Sequence, residues 1–249
     1  SPMHAIEDNV YSRGFAALSA LAPLPKALLV VSAHWFVAGT RVTSNDPQPT
    51  IHDFSGFPRA LHEVQYPAPG APELAGAVQA ALGADRCRLD GEWGLDHGAW
   101  SVLRRMYPRA DVPAIQLSID RRLPMAAHLD LARRLAPLRE EGVLIVASGN
   151  VTHNLRDALT RMHRGSSETP AWASDVDRRV EDAVSTHDHA ALAALPETQA
   201  GRMAHPTPDH YVPLLYAAGA ASPDERVAFP IQGFDAGSLS MRSVVFGAA

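Results

Sequence analysis

Two short, unbroken apolar segments constrain the fold of this chain more than any other feature. Residues 27–31 are ALLVV and residues 143–147 are VLIVA. Apolar runs of about five residues, rich in β-branched side chains, are typical of strands that are buried on both faces of a largely parallel sheet. The sequence therefore predicts two central strands of an α/β protein.

Helix and strand patterns alternate along the rest of the chain. Strands are predicted at residues 27–31, 41–43, 86–89, 112–119, 143–147, 226–231 and 239–246, and helices at 5–21, 73–82, 99–107, 125–138, 175–184 and 211–218. No long polar linker interrupts this alternation. We therefore predict one domain over residues 1–249, an α/β sandwich with a central, mostly parallel or mixed sheet flanked by helices.

Composition excludes several classes of function. The net charge of −5, with lysines and arginines scattered along the chain, gives no basic surface for nucleic acid. No apolar run approaches the roughly 20 residues that span a bilayer, so no membrane partner is expected. The single cysteine, Cys87, excludes an internal disulfide and suits a cytoplasmic protein. The oligomeric state stays open.

Four of the twelve histidines stand out by position. His34 and His153 each follow one of the two apolar runs, where α/β enzymes gather side chains at the carboxyl ends of strands. His97 precedes Gly98, which would let the backbone approach a ligand closely, and His210 stands before a predicted helix. Imidazole is both a common metal ligand and the side chain best suited to proton transfer near neutral pH.

Spacing alone leaves alternatives open for these residues. His34 could be a buried core histidine, His97 part of a plain turn, and His210 a surface residue near a helix start. The chain has no H-E-x-x-H zinc motif, no G-x-S-x-G hydrolase elbow and no glycine-rich nucleotide loop. Histidines without a second cysteine suit Zn(II) or Fe(II), so the residues by themselves predict an α/β enzyme with a histidine-bound metal.

Several blocks, in one order along the chain, resemble the class III extradiol ring-cleavage dioxygenases, specifically the bacterial DOPA 4,5-dioxygenase type. The blocks are residues 1–3, 31–35, 50–54, 65–70, 93–100, 116–120, 148–154, 206–213 and 233–241. By this resemblance, His34 and His210 are metal ligands, His153 is a ligand or the base that takes a catechol proton, and His97 is an acid/base residue beside the bound oxygen.

The resemblance implies less for the other histidines. His205 is expected to lie behind the metal ligands without touching the metal. Surface positions are expected for His4, His62, His128, His163, His187 and His189.

The function implied by the resemblance is a metal-dependent extradiol dioxygenase. It would insert O2 into a catechol-type, DOPA-like aromatic, so its partners would be a small aromatic diol and O2. Fe(II) is expected for activity, and Zn(II) is a plausible bound metal because its general affinity for such sites exceeds that of Fe(II). The alternatives are a non-enzymatic metal-binding or interaction protein on the same scaffold, and a zinc hydrolase.

The start of the chain departs from the family pattern. The family motif is Gly-His-Gly-Ser-Pro-Met, and its histidine is a metal ligand, whereas this sequence begins at Ser1. We expect the native protein to carry the preceding strand and histidine. His4 is a weaker candidate for a replacement ligand.

Overall fold

The computed structural model describes residues 2–247. Its contacts divide the chain into two compact units. The first comprises the residues up to Leu123 together with Arg134–Ser148, and the second comprises Pro124–Arg133 and the residues from Gly149 onward. The single domain over residues 1–249 stays a prediction.

Helices and strands alternate as the sequence predicts. The α-helices are α1 (Val10–Leu18), α2 (Arg59–His62), α3 (Pro72–Leu82), α4 (His97–Met106), α5 (Met125–Leu135), α6 (Pro137–Glu140), α7 (Leu155–His163), α8 (Ala171–Ser185), α9 (His189–Ala194), α10 (Gln199–Ala204) and α11 (Val212–Gly219). Short 3-10 helices cover Pro2–Ala5, Ser19–Leu21 and Leu195–Glu197. The strands are β1 (Ala27–Val37), β2 (Thr40–Thr43), β3 (Cys87–Asp90), β4 (Ala114–Asp120), β5 (Val143–Ser148), β6 (Val227–Ala228), β7 (Phe234–Asp235), β8 (Leu239–Ser240) and β9 (Val245–Phe246).

A five-stranded sheet organises the first unit, in the order β3-β2-β4-β1-β5. Strand β1 pairs in parallel with β4 and β5, β2 pairs in parallel with β3, and only the β2–β4 pairing is antiparallel within this described sheet. The predicted fold class, α/β with a mostly parallel or mixed central sheet, is confirmed.

The two apolar runs differ in burial. In β1, Leu28 and Val31 are fully buried, as predicted for a strand covered on both faces. In β5, by contrast, Val143 is buried and the following five residues are only half-buried. The prediction of two-sided burial is wrong for β5, because β5 is the outermost strand of the described sheet and β1 lies inside it.

Helix α4 packs against the core of the first unit. Trp100 and Leu103 are fully buried in a cluster with Leu28 and Val30. The indole Nε1–H of Trp100 donates a hydrogen bond to the Ile51 carbonyl at 2.8 Å, so the polar atom of this large side chain is satisfied. This packing fixes the position of the first turn of α4, which contains the candidate site residue His97.

The second unit is built on helices. Val176 and Val180 of α8 and Leu215 of α11 form its core with Leu192 and Tyr211. The Tyr211 hydroxyl donates to the Leu192 carbonyl at 2.9 Å. Among the helices over residues 2–247, none combines the length and the apolar composition that a bilayer span requires.

The predicted closing strands over residues 226–231 and 239–246 are wrong in extent and in pairing. The chain there forms two-residue strands in two small ribbons, β6 with β9 and β7 with β8. Pro230, which has no backbone N–H for strand pairing, follows β6 within two residues, and Gly233, Ala236 and Gly237, whose φ angles are positive, lie between the two predicted strands. The helix predicted over residues 125–138 also divides, because Pro137 begins the new helix α6.

Candidate functional site

His34 lies inside an irregular stretch of β1. The sequence predicted that this strand ends near Val31, but β1 continues to Val37. Val31 pairs with Leu117 and Phe36 with Ile119, so β1 accommodates extra residues between two nearly adjacent positions of β4. Within this bulge, His34 has no paired residue in β4.

His97 is the first residue of helix α4, two residues earlier than the predicted helix start. Asp96 caps the helix by accepting a hydrogen bond from the Ala99 backbone N–H at 3.1 Å. The Ser32 hydroxyl donates to the same carboxylate at 2.7 Å, and the Gln116 side-chain amide donates to its other oxygen. Burial, with the nearby charge of Asp53, raises the pKa of Asp96 to about 6.

Gly98 allows α4 to approach β1 closely. A Cβ atom at this position would collide with the Ser32 hydroxyl and would lie 2.8 Å from Cδ2 of His34. The sequence suggested that this glycine makes room for a ligand, whereas in the structure it makes room for β1. As a result, the ring centroids of His34 and His97 lie only 3.8 Å apart.

Asp53 faces both of these imidazoles. Its Oδ1 accepts the His97 backbone N–H at 2.9 Å and lies 2.9 Å from His97 Nδ1, while its Oδ2 lies 3.6 Å from His34 Nδ1. The ring contact to His97 has hydrogen-bond length, although the ring N–H is not directed at the oxygen. Burial raises the pKa of Asp53, but its hydrogen bonds with His97 and the charges of His97 and His34 outweigh burial and lower it.

Ligand atoms of His34, Asp53 and His97 lie within 4.8 Å of one another, so this group could hold a metal ion. Two imidazoles and a carboxylate are a donor set that suits Fe(II) or Zn(II). The sequence analysis did not single out Asp53. The only signal was its place in the block of residues 50–54, and no spacing rule connects that block to His34 or His97.

Aromatic side chains adjoin this cluster. Phe54 contacts the His97 ring edge-on, with centroids 5.4 Å apart, and also lies against Phe57 and His62. Phe54 and Phe57 are partly buried. This part of the first unit therefore offers an apolar surface next to polar, proton-exchanging groups, a combination common in small-molecule sites.

In the second unit the structure brings His153 and His210 together. Their rings are stacked, with centroids 3.5 Å apart and planes inclined by 6°. The Asn150 backbone N–H donates to the His210 carbonyl at 2.9 Å, and a Cβ at Gly149 would collide with that carbonyl. The residues after β5 and the turn before α11 are thus in direct backbone contact.

Burial, only partly offset by the charge of Asp209, lowers the pKa of His153 to about 4. His153 is therefore neutral near pH 7. A neutral ring is the form that binds a metal or accepts a proton. The donor chemistry of this pair fits the metal that the sequence predicts.

His205 is buried beside this pair. One ring nitrogen, Nε2, lies 2.8 Å from the Val151 carbonyl, which can only accept, so Nε2 carries the proton. Burial lowers the pKa of His205 to about 4 and keeps the ring neutral. The place of His205 behind the metal ligands stays a prediction. Its hydrogen bond to the Val151 carbonyl holds the backbone two residues before His153.

Two of the histidines predicted at the surface are buried. His4 is 6% exposed and lies against Tyr11, and His128 is 1% exposed with Nδ1 at 3.2 Å from the Tyr216 hydroxyl. In both cases an aromatic neighbour from another element covers the ring, which sequence pattern does not reveal.

The four candidate histidines thus occur as two close pairs. His34 and His97 belong to the first unit, and His153 and His210 belong to the second. That His34, His153 and His210 bind one metal, and that His97 and His153 are catalytic, stay predictions.

Comparison with known proteins identifies the family. Residues 9–247 match the family model described as the catalytic LigB subunit of aromatic ring-opening dioxygenase. The chain is 46% identical to the 4,5-DOPA dioxygenase extradiol of Escherichia coli K12, over 99% of this chain and 92% of the relative. It is 38% identical to the 4,5-DOPA dioxygenase extradiol of Beta vulgaris, over 99% and 93% of the two chains.

A solved structure agrees with this relationship. The crystal structure of an uncharacterized protein from Escherichia coli K12 superimposes with a TM-score of 0.83 at 42% identity, covering 96% of this chain and 93% of the other. The resemblance stated from the sequence is therefore confirmed, as is the prediction of an aromatic ring-cleaving extradiol dioxygenase. The chain belongs to the family of the catalytic LigB subunit of aromatic ring-opening dioxygenases.

Proposed function

We propose that this protein opens the ring of a catechol-type, DOPA-like substrate beside its two hydroxyl groups, using Fe(II) and O2. The observation that carries the proposal is the pairing of the four candidate histidines, with ring centroids 3.8 Å apart for His34 and His97 and 3.5 Å apart for His153 and His210. Relatives named 4,5-DOPA dioxygenase extradiol support the substrate class.

The metal would be held by His34, His153 and His210. When bound, Fe(II) supplies the redox chemistry with O2 and a positive charge that favours an ionised catechol. Zn(II) could occupy the same imidazoles, but it has no redox chemistry, so a zinc-filled protein would be inactive in ring opening.

The protein's own residues manage protons. His153 is neutral near pH 7 because burial lowers its pKa to about 4. A neutral imidazole has a single lone-pair nitrogen, so His153 would either bind the metal or, in the alternative role, accept a catechol hydroxyl proton. His97, beside the carboxylate of Asp53, would act as the acid that returns a proton during cleavage. The Phe54 and Phe57 side chains would face the aromatic ring of the substrate.

The reaction balances without a further reductant. The ring carbon–carbon bond next to one hydroxyl-bearing carbon breaks, both oxygen atoms of O2 enter the product, and the catechol supplies all the electrons. The product is a ring-opened semialdehyde with a carboxylate, which absorbs visible light and gives a direct readout.

The test is anaerobic loading of the protein with Fe(II), followed by DOPA or caffeate and then O2. We expect a yellow product with matched O2 uptake, loss of both on chelation, and no turnover when Zn(II) replaces Fe(II). Absence of colour and O2 uptake with DOPA, caffeate and other catechols would contradict the proposal.

The variant His153→Ala tests the role of that residue. We expect a fall in kcat of at least about 100-fold, because positioned proton transfer typically contributes about 10²–10⁴-fold. His163→Ala is a suitable control, since His163 is an exposed residue at the end of α7. Full turnover by His153→Ala would remove the assigned role.

A further inference from the structure

We propose that Asp53 is a positioning residue whose carboxylate holds the imidazoles of His34 and His97 with their Nδ1 atoms toward it. The roles of those two rings rest on the proposed function, but the orientation itself does not. Asp53 would act through the two histidines and not on the substrate.

The geometry is that of one carboxylate shared by two rings. Oδ1 lies 2.9 Å from His97 Nδ1, and Oδ2 lies 3.6 Å from His34 Nδ1. The side chain of Asp53 is 15% exposed, so water screens these contacts only partly.

Backbone contacts hold Asp53 next to the first turn of α4 in the absence of a ligand. Thr50 and Leu95 form a parallel β-bridge, and the Ile51 backbone N–H donates to the Leu95 carbonyl at 2.8 Å. The His97 backbone N–H then donates to Asp53 Oδ1 at 2.9 Å. That N–H belongs to the first turn of α4, where the helix end favours a negative charge.

The chemical consequence is a fixed tautomer for each ring. An unprotonated Nδ1 carries a partial negative charge, which is unfavourable 2.9 Å or 3.6 Å from a carboxylate oxygen, so the neutral rings of His97 and His34 should carry their proton on Nδ1. The lone pair then lies on Nε2. Histidines that bind metals commonly donate their other ring N–H to a carboxylate, which fixes the ring and makes it a better ligand. For His34 this leaves Nε2 ready for the metal, and for His97 it leaves Nε2 ready to exchange a proton.

A competing assignment makes Asp53 a direct metal ligand, since its oxygen belongs to the group of ligand atoms within 4.8 Å. The positioning role is favoured because Oδ1 already accepts the His97 backbone N–H and the Nδ1 atoms of His97 and His34 lie 2.9 Å and 3.6 Å from the carboxylate oxygens. The two assignments predict different losses of metal affinity when the Asp53 carboxylate is removed.

The first experiment uses the unaltered protein without metal. Long-range ¹H–¹⁵N spectra of its histidine rings, assigned with His34→Gln and His97→Gln, report which nitrogen carries each proton. We expect Nδ1–H for both rings at a pH where they are neutral. A proton on Nε2 of either ring would overturn the proposal, whether or not any variant folds.

The second experiment compares Asp53→Asn with Asp85→Asn, a control in the first unit whose carboxylate is 81% exposed. Zn(II) affinity is measured by competition with a chelator. Loss of an outer carboxylate typically weakens metal binding by about 10- to 100-fold, and we expect a loss in that range, with partial rescue by Asp53→Glu. The Asn variant should also lose the uniform Nδ1–H tautomer, since one amide oxygen cannot serve both rings.

The outcomes separate the hypotheses. Unchanged affinity and tautomers in Asp53→Asn would contradict the positioning role, and an affinity loss far beyond 100-fold with unchanged tautomers would identify a direct ligand. If the tautomer and affinity results are as expected but no catechol is cleaved, the positioning role of Asp53 stands and the proposed function fails.

Discussion

The pair formed by Asp177 and Arg242 gives the sharpest stability prediction. Arg242 Nη2 donates to Asp177 Oδ2 at 2.6 Å and Nε to Oδ1 at 3.1 Å, and the side chains are 5% and 11% exposed. The Ser240 hydroxyl also donates to Asp177 at 2.5 Å. Ser240 is in turn tied to the segment before His153, because its backbone N–H donates to the Thr152 hydroxyl at 2.8 Å.

The perturbation is Asp177→Asn, which keeps the shape of the side chain and removes its charge. Removing one partner of a buried ion pair typically costs about 3–5 kcal/mol, because the remaining charge stays buried without compensation. Glu181 still lies 2.8 Å from Arg242, so we expect the lower end, about 3 kcal/mol. For a chain of this size that corresponds to a fall in Tm of about 6–12 °C.

The assay is thermal and urea unfolding followed by circular dichroism on the metal-free protein. Asp175→Asn is the matched control on the same helix, α8. Its carboxylate is 30% exposed and pairs with Arg178 at 2.9 Å and Arg179 at 2.8 Å, both more exposed still. Such surface pairs contribute about 0–1 kcal/mol. If both variants lose the same stability, the argument from an uncompensated buried charge is refuted.

Three further variants test packing and hydrogen bonding. Gly98→Ala would place a Cβ 2.8 Å from His34 Cδ2, so we expect a loss of about 1–3 kcal/mol in unfolding free energy together with weaker Zn(II) binding. Gly76→Ala in α3 meets no atom within 4 Å and should instead stabilise by about 0.5–1 kcal/mol; an equal effect of the two alanines in urea unfolding would contradict the packing argument. Tyr211→Phe removes the donor to the Leu192 carbonyl and should cost about 1–3 kcal/mol by the same assay, because that buried acceptor is left unpaired. No change in its urea midpoint would show that another group satisfies the carbonyl.

Local sequence patterns predicted most of the elements in the first unit because its apolar periodicities report burial directly. The run at residues 27–31 became the buried part of β1, and the segments at 73–82 and 112–119 became α3 and β4 with boundaries shifted by one or two residues. The same reasoning failed over residues 226–231 and 239–246, which form only two-residue strands. A run of apolar residues indicates burial, but the length of a strand also depends on backbone pairing, and Pro230 has no N–H to contribute.

The sequence by itself determined the α/β class, the family, and which histidines deserved attention, because each depends on residues close together or in a fixed order. Only the tertiary structure decided that β1 bulges at His34, that His153 stacks on His210, and that Asp53 lies beside both His34 and His97. Those arrangements join residues that are far apart in the chain. Their distances are set by how strands and helices pack, and packing depends on the shapes of all the side chains in a core at once. Position along the chain and the family resemblance therefore identified the histidines, and three-dimensional packing brought Asp53 to His34 and His97.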